Sequence, residues 1–446
     1  MKLLHLVAYP SPRWLIVSAI ACVLLFFATI PMPREDGHLA GSDGLYYFSI
    51  LRSSVLDGDL DFSNDYQLLG VDAPVTTTGH KANPYAVGAA ILWLPFFVGA
   101  HAIALAMNAV GVPVSTSGVG YLYEGAICFA TVIYSLIGLW LTYLVIRRAD
   151  IGDKSSAAAA ILALWWASNA VYYAIVEPSM THGLTIFSVA LFLFCWYPPQ
   201  QERSFVKWAL LGLCTAIVAL TRWQDGVIVL LPLSEWVWRA WRKKESQFQL
   251  AAKGIVFALV FSVAFLPQII MWKVVYGQYL TIPQGDGFMQ WLDPHPWLVL
   301  FSSRHGLLSW HPIFALPLLG LWPLYRKDKV LAAAVFAMFV CAVYVNGATV
   351  NWGGGHAYGA RRFISLVPFL ALPLTAFIAI LKPGGSLTRE RLACVVLVLI
   401  VWNALCVLQY RFGGIDRKGD LTARQMTTDR LLMPITLLKK FAKWPT

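Results

Sequence analysis

The stretch YLYEGAICFATVIYSLIGLWLTYLVI, residues 121–146, decides the fold class. Glu124 is its one charged side chain, and Arg147 and Arg148 close it. A membrane-crossing helix needs roughly 20 mostly apolar residues. A bilayer core offers no water to exposed peptide groups, so such a stretch must close its hydrogen bonds within itself as a helix. Working outward, similar runs lie near 14–32, 155–175, 306–325, 330–347, 363–381 and 391–408, with shorter ones near 183–198, 206–222, 225–238 and 252–272. Across 446 residues, 58% are hydrophobic and 13% charged, where a soluble domain carries about 25% charge. A soluble enzyme, a disordered chain and a fibrous repeat are excluded. The expected fold is an all-α polytopic membrane protein with about 11 transmembrane helices.

The first run follows Lys2 and Arg13, and its end, FFATIPMP, lacks a small-x-small cleavage site. It therefore reads as a retained anchor. Residues 84–110 are apolar but interrupted by Gly88, Pro95 and Gly99. If they crossed, the basic bends RRADIGDK, WRKK and YRKDK would fall outside, against the positive-inside tendency. They are expected instead as a re-entrant or surface-lying hairpin, with the N-terminus in and the C-terminus out. The inner segments then hold 18 of the 34 Lys and Arg, the outer loops 8, and the tail after residue 410 the other 8.

The organisation expected is a membrane domain over 1–410, with a first outer loop at 33–83 carrying juxtamembrane helices and the membrane-dipping segment at 84–110. A basic outer-face tail over 411–446 follows, its end MPITLLKKFAKW reading as an amphipathic surface helix. The net charge of +11 thus reflects topology and contact with membrane lipids, and no nucleic-acid partner is implied. The seven cysteines all lie in apolar runs without a CxxC pair, which gives neither a disulfide framework nor a zinc site.

The outer loops collect most of the unpaired acids, the His residues and the Gly clusters. Loops held by a rigid scaffold are where chemistry usually sits. The first is acidic, with Glu35, Asp36, Asp43, Asp57, Asp59, Asp61, Asp65 and Asp72 against Arg34, Arg52 and Lys81. Its part SDGLYYFSILRSSVL reads as an amphipathic helix resting on the bilayer, with Asp43 at its start. A carboxylate there can take a proton from a hydroxyl or serve as a helix cap. Asp57, Asp59 and Asp61 form overlapping DxD triplets that could hold a divalent cation through oxygen. His80 and Lys81 precede Asn83-Pro84-Tyr85, where a cation could meet a lipid phosphate or simply snorkel to headgroups. Glu177 and His182 share the turn EPSMTHG between two spans, and ionisable groups at a span's edge are functional candidates. Arg222 and Asp225 read as a structural ion pair, and Glu124 as structurally paired.

Arg304 and His305 open a later span. The string Trp352-Gly-Gly-Gly-His356 is followed by Tyr358, Arg361 and Arg362. Three glycines allow backbone N–H groups to approach a ligand closely. Two arginines at an outer span end suggest an anion, phosphate above all, because the guanidinium fork matches it.

At these residues the chain resembles the GT-C superfamily of glycosyltransferases that use polyprenyl-phosphate sugars, especially the protein O-mannosyltransferase and lipid A aminoarabinose transferase branches. In them an acid follows the first span, as Asp43 does in SDGLYY, and a Lys-x-x-Pro-type or Tyr-Pro-type motif precedes a membrane-dipping segment, as in His80-Lys81-Ala82-Asn83-Pro84-Tyr85. The likeness is best over the first 110 residues. The chain departs from the family pattern in having Gly44 where many relatives carry a second acid, and a short basic tail in place of a large outer domain.

The resemblance implies a GT-C-like fold and a polyprenyl-monophosphate sugar as donor. Asp43 would be the general base for the hydroxyl of an envelope acceptor, with inversion by single displacement. Lys81, Arg361 and Arg362, with His356, would bind the donor phosphate, where charge grows in the transition state. His80, Tyr85, Glu177, His182, Arg304, His305 and Trp352 would contact substrate. Fixed cations suffice for a monophosphate, so no essential metal is expected. The setting implied is a bacterial inner membrane with the active site facing the periplasm. Two other readings are a lipid-linked glycan polymerase or ligase, built on Arg304 and His305, and a non-enzymatic transporter. A transporter should show an internal repeat or charges deep in several spans.

Overall fold

The computed structural model describes residues 7–31, 38–381 and 387–441. Lys2, Arg34, Glu35, Asp36 and the last residues of the basic tail lie outside them. The principal helices are α1 (Arg13–Thr29), α2 (Asp43–Arg52), α3 (Gly88–Ala109), α4 (Tyr121–Ala149), α5 (Lys154–Trp166), α6 (His182–Trp196) and α7 (Phe205–Thr221). They continue with α8 (Leu230–Trp241), α9 (Gln247–Tyr276), α10 (Lys329–Gly347), α11 (Val367–Ile380), α12 (Arg389–Arg411) and α13 (Met433–Phe441). Among the described residues there is no strand, only isolated bridges between Val75 and Lys81 and between Met289 and Thr349. Among the described residues, six helical stretches are long and apolar enough to cross a membrane: Gly88–Ala109, Tyr121–Ala149, Gln247–Tyr276, Lys329–Gly347, Arg361–Ile380 and Arg389–Arg411. Shorter apolar helices cover α1, α6 and α7. The chain is an integral membrane protein, all-helical as expected.

Three expected elements differ. The run 306–325 is broken into Leu307–Trp310, Pro312–Phe314, Ala315–Leu319 and Leu321–Lys327, because Pro312, Pro317 and Pro323 each remove an amide donor and crowd the preceding turn. The 84–110 segment is no hairpin. It forms one continuous helix, α3, with Pro95 inside it, since a single proline costs one backbone bond in an otherwise apolar helix. Both flanks of α3 return to α2: Asn83 Nδ2 donates to Tyr46 O at 2.9 Å, and Arg52 Nε donates to Ser117 O at 2.7 Å. Finally, α2 does not rest open on a bilayer. Gly44, Leu45 and Tyr47 through Arg52 are all buried, covered by aromatic contacts such as Phe48–Phe97 and Tyr47–Trp93.

The chain divides into two compact units. The first, residues 19–145 and 173–288, holds the loop that carries Asp43. Its α7 packs on α6 and α9, and Gly212 is small enough for the Phe257 carbonyl to sit where a Cβ would be, 2.5 Å away. At the far ends of these helices Glu235, buried in α8, accepts from Arg203 Nε at 2.7 Å and Arg239 Nε at 2.9 Å. Arg203 also donates to Cys195 O and Arg239 to Pro199 O, and Arg239 Nη1 lies 3.8 Å from Glu245, so both guanidinium groups are held by carboxylates and backbone carbonyls.

The second unit is residues 1–18, 146–172 and 289–446. Helix α11 packs on α5, where Gly152 touches Thr375 and Ala379, and Gly320 meets the Pro373 backbone so closely that a Cβ would overlap it. Asn403 of α12 donates to Trp166 O and Ser168 O and accepts from Tyr358 Oη at 2.7 Å. The tail folds back on α12. Fully buried Arg430 donates to Gln409 Oε1 and lies 4.6 Å from the Trp402 ring centroid.

Candidate functional site

In the first unit the chemistry gathers where α2 begins. Ser42, in the left-handed region at φ 51°, is the N-cap and makes no side-chain cap bond. Asp43 is the first helical residue, and its carboxylate is half-buried near the positive end of the helix. The cap alternative therefore belongs to the neighbouring residue. Two glycines lock this turn against the EPSMTHG turn. Gly41 N donates to Ser179 Oγ at 3.2 Å. A Cβ on Gly44 would fall on Ser179 Oγ, 2.5 Å from Ser179 Cβ and 3.1 Å from its carbonyl. The Glu177 carboxylate lies against Gly41. Thr181 Oγ1 donates to Tyr47 Oη at 3.3 Å.

Aromatic rings line the same region. Tyr85 is 5.3 Å from Tyr46 and 4.8 Å from Tyr47, centroid to centroid. Burial, and then the carboxylates of Asp43 and Asp72, push the Tyr46 phenol up. His182 Nδ1 accepts from Arg222 Nη1 at 2.6 Å, so that nitrogen carries no proton. The structure thus packs the start of α2, which carries Asp43, against the turn that carries Glu177 and His182, with the Tyr85 ring beside Tyr46 and Tyr47 of the same helix. Arg222, read from the sequence as an Asp225 partner, joins that turn through His182.

Lys81 sits on a short antiparallel turn, with Ala82 N bonded to Pro74 O at 2.8 Å. Its half-buried Nζ donates to Ala73 O at 2.8 Å. His80 Nδ1 pairs with Thr78 Oγ1, whose hydroxyl also reaches Val275 O of α9. Glu124, as expected, is structural. It pairs with His38 and accepts from the backbone amides of Leu39, Ala40 and Gly120.

The DxD triplets are taken up locally. Asp57 accepts from Arg52 and Asn64, Asp59 from Ser53, and Asp61 from Ser63. Among the described residues no group of three His, Cys, Asp or Glu is placed to hold a metal, so the possible cation site at Asp57, Asp59 and Asp61 is not assembled. Buried Asp65, also paired to Arg52 at 2.8 Å, has its pKa raised to about 6 because burial outweighs the arginine.

In the second unit a shallow cleft, with room inside for about one water, is lined by Val299, His305, Asn346, Trp352, Arg361 and Arg362, among others. His305 has φ 61°, unusual for a residue with a Cβ. Its Nδ1 meets Gly353 O at 2.6 Å, and a carbonyl only accepts, so Nδ1 carries the proton. Burial lowers its pKa to about 4, with Arg304 and Arg361 acting in the same direction. Arg304 lies over the Trp352 ring at 5.9 Å. Arg362 Nη1 donates to Thr349 Oγ1 at 2.7 Å, and Arg361 Nη2 to Gly354 O at 3.3 Å.

Two of the three amides of the glycine run are taken up within the turn. Gly354 N donates to Asn351 O and Gly355 N to Asn351 Oδ1, both glycines having positive φ. The asparagine takes the donors first. His356 is exposed, its carbonyl held by Tyr410 Oη at 2.6 Å. Sequence reasoning missed Ser179, Thr349 and Asn346, small or amide residues that only the folded contacts single out.

No family model and no curated protein matches the sequence. The structure is similar to two crystal structures of ArnT from Cupriavidus metallidurans. The one bound to undecaprenyl phosphate gives a TM-score of 0.55 at 14% identity, covering 96% of this chain and 71% of that one. The apo structure gives 0.52 at 14% identity, with 96% and 76% covered. The fold is thus like that of ArnT, one of the branches to which the resemblance pointed.

Proposed function

We propose that the chain is a membrane glycosyltransferase that moves a sugar from a polyprenyl-phosphate donor to a hydroxyl of an envelope acceptor. The observation that carries this reading is the placement of Asp43, half-buried at a helix start, locked to the Glu177 turn through Gly41, Gly44 and Ser179. The likeness to a fold seen with undecaprenyl phosphate bound supports the lipid class of donor.

In this mechanism Asp43 accepts the proton of the acceptor hydroxyl as its oxygen attacks the anomeric carbon. The bond from that carbon to the lipid phosphate breaks, the phosphate oxygen leaves with the electron pair, and the configuration inverts. Lys81 is the cation we assign to the leaving phosphate in the first unit, since charge growing there favours a fixed donor in the transition state. Arg361, Arg362 and His356 form an anion-binding cluster in the second unit. Glu177, His182, His80 and Tyr85 contact substrate in the first unit, as do Arg304, His305 and Trp352 in the second. No metal is required.

We further propose about 11 spans, with α3 held along the face of the 33–83 loop because both its flanks return to α2. That face is the periplasmic side of a bacterial inner membrane. The tail over 411–446 is a separate basic element on it. A second reading, a polymerase or ligase of lipid-linked glycans, draws support from His305, Arg361 and Arg362 lining one cleft, with Arg304 over the ring of Trp352.

The test uses purified protein in nanodiscs with radiolabelled polyprenyl-phosphate sugars. Asp43→Asn should abolish transfer or label release, and EDTA should spare it. Turnover of a diphosphate-linked glycan in place of the monophosphate would favour the second reading and overturn the first.

A further inference from the structure

Taken singly, each cysteine of the chain is a small hydrophobe. The fold brings two of them into contact. Cys195 is the last residue but one of α6, and Cys214 lies midway along α7. Cys214 Sγ donates to Cys195 Sγ at 3.5 Å, and both stand as thiols. Both positions are fixed. The Cys195 carbonyl accepts from Arg203 Nη1 at 3.1 Å, and Cys214 is buried. A disulfide needs its sulfurs about 2.05 Å apart, so an approach of roughly 1.5 Å closes the bond, within reach of small side-chain rotations.

The surroundings select the reagent. Val206, Leu210 and Leu213 of α7 are exposed, and their spacing puts them on one apolar face of the helix. In a membrane protein such a face meets acyl chains. Cys195 is the half-buried member of the pair, so an oxidant reaches it through the lipid phase.

We infer that Cys195 and Cys214 form a reversible disulfide that staples α6 to α7, made by a lipid-soluble quinone. Two S–H bonds break and one S–S bond forms. The two electrons and two protons pass to the quinone, which leaves as the hydroquinone. A dithiol reverses the step by exchange, becoming a disulfide itself. The staple acts on the whole hairpin. At its other end α6 begins with His182, about 20 Å of helix away, and α7 runs into Arg222, which donates to His182 Nδ1 at 2.6 Å. The two helices are then tied at both ends, and oxidation holds the spacing at which His182 and Arg222 meet. The staple needs neither donor nor acceptor, so it stands apart from the proposed transfer reaction.

The test uses the full chain in phosphatidylcholine nanodiscs, exposed to decylubiquinone and then alkylated and digested for mass spectrometry. Two of the seven thiols should be lost, with the Cys195 and Cys214 peptides joined. Glutathione disulfide, confined to water, should leave all seven. On oxidation, amide hydrogen exchange across residues 182–221 should slow. The unfolding midpoint should rise by on the order of a few degrees, because the bond joins positions 19 residues apart. Dithiothreitol should reverse both changes.

These readings come from the unaltered sequence and need no variant to fold. As controls, Cys195→Ser and Cys214→Ser should each lose no thiol to the quinone, whereas Cys394→Ser, at an exposed position of α12, should still lose two. Seven thiols after quinone treatment, or a bond to any other cysteine, overturns the inference. A mapped bond that leaves exchange across 182–221 unchanged overturns the staple. Oxidation by glutathione disulfide at the same rate overturns the lipid route.

Discussion

Gly44→Ala is the most informative single perturbation of the Asp43 turn. Gly44 is the second residue of α2 and buried, so alanine there gains about 0.5–1 kcal/mol of helix propensity. Against this, the new Cβ falls on Ser179 Oγ, 2.5 Å from Ser179 Cβ and 3.1 Å from its carbonyl. Overpacking of this kind costs about 1–3 kcal/mol, so the variant should be less stable. If the EPSMTHG turn yields instead, Asp43 shifts relative to Glu177. A displacement near 1 Å at a catalytic group costs roughly 100-fold in rate.

Ser179→Gly removes two of the three clashing atoms and leaves the carbonyl at 3.1 Å, a gap that small adjustments open. Alone it loses the bond from Gly41 N, about 1 kcal/mol. The double variant should therefore recover, with a favourable coupling of about 1–2 kcal/mol in thermal unfolding and a transfer rate within several-fold of wild type. Strictly additive single effects, in unfolding and in the radiolabel assay alike, would refute the lock.

Other outcomes follow from other contacts. Asp65 has its pKa raised to about 6 in the fold, above its unfolded value. Its contribution is complete below about pH 4 and is lost as pH rises through 6, so Asp65→Asn should gain on wild type by up to about 3 kcal/mol between pH 4 and 7, read as the difference between melting curves across that range. Glu124→Ala strips three backbone amides of their acceptor and should cost on the order of 3 kcal/mol, with hydrogen exchange rising at residues 39, 40 and 120. Asn403→Ala leaves the carbonyls of Trp166 and Ser168 and one bond of Tyr358 unmade, which should cost about 2–4 kcal/mol in thermal unfolding.

Apolar run length made the helices legible, because a bilayer admits few ways to satisfy a backbone. The same rule overshot at 306–325, where three prolines visible in the sequence outweigh apolar content. It also misjudged 84–110, where one proline and two glycines were given the weight of a turn. Asp43, Glu177, His182 and Tyr85 could be named as candidates because they bear charge or ring chemistry at span ends. The lock between Gly44 and Ser179 could not, since it joins residues 135 positions apart that carry no periodic signal. The glycine run was misread for a related reason: in a chain without coordinates, nothing shows that Asn351 captures the amides of Gly354 and Gly355. The bond from Arg222 to His182 likewise depends on how two turns meet.

The cluster of Arg203, Glu235 and Arg239 also bears on how the protein is made. A single uncompensated charge in an inserting helix costs about 3 kcal/mol, and α8 carries both Glu235 and Arg239. Synthesis delivers Arg203 and α7 before α8 emerges, so the guanidinium that neutralises Glu235 is already waiting at the translocon. The carboxylate of α8 therefore finds its partner as soon as the helix forms. Loss of Arg203 would thus be felt first in the yield of folded protein, before any activity could be assayed.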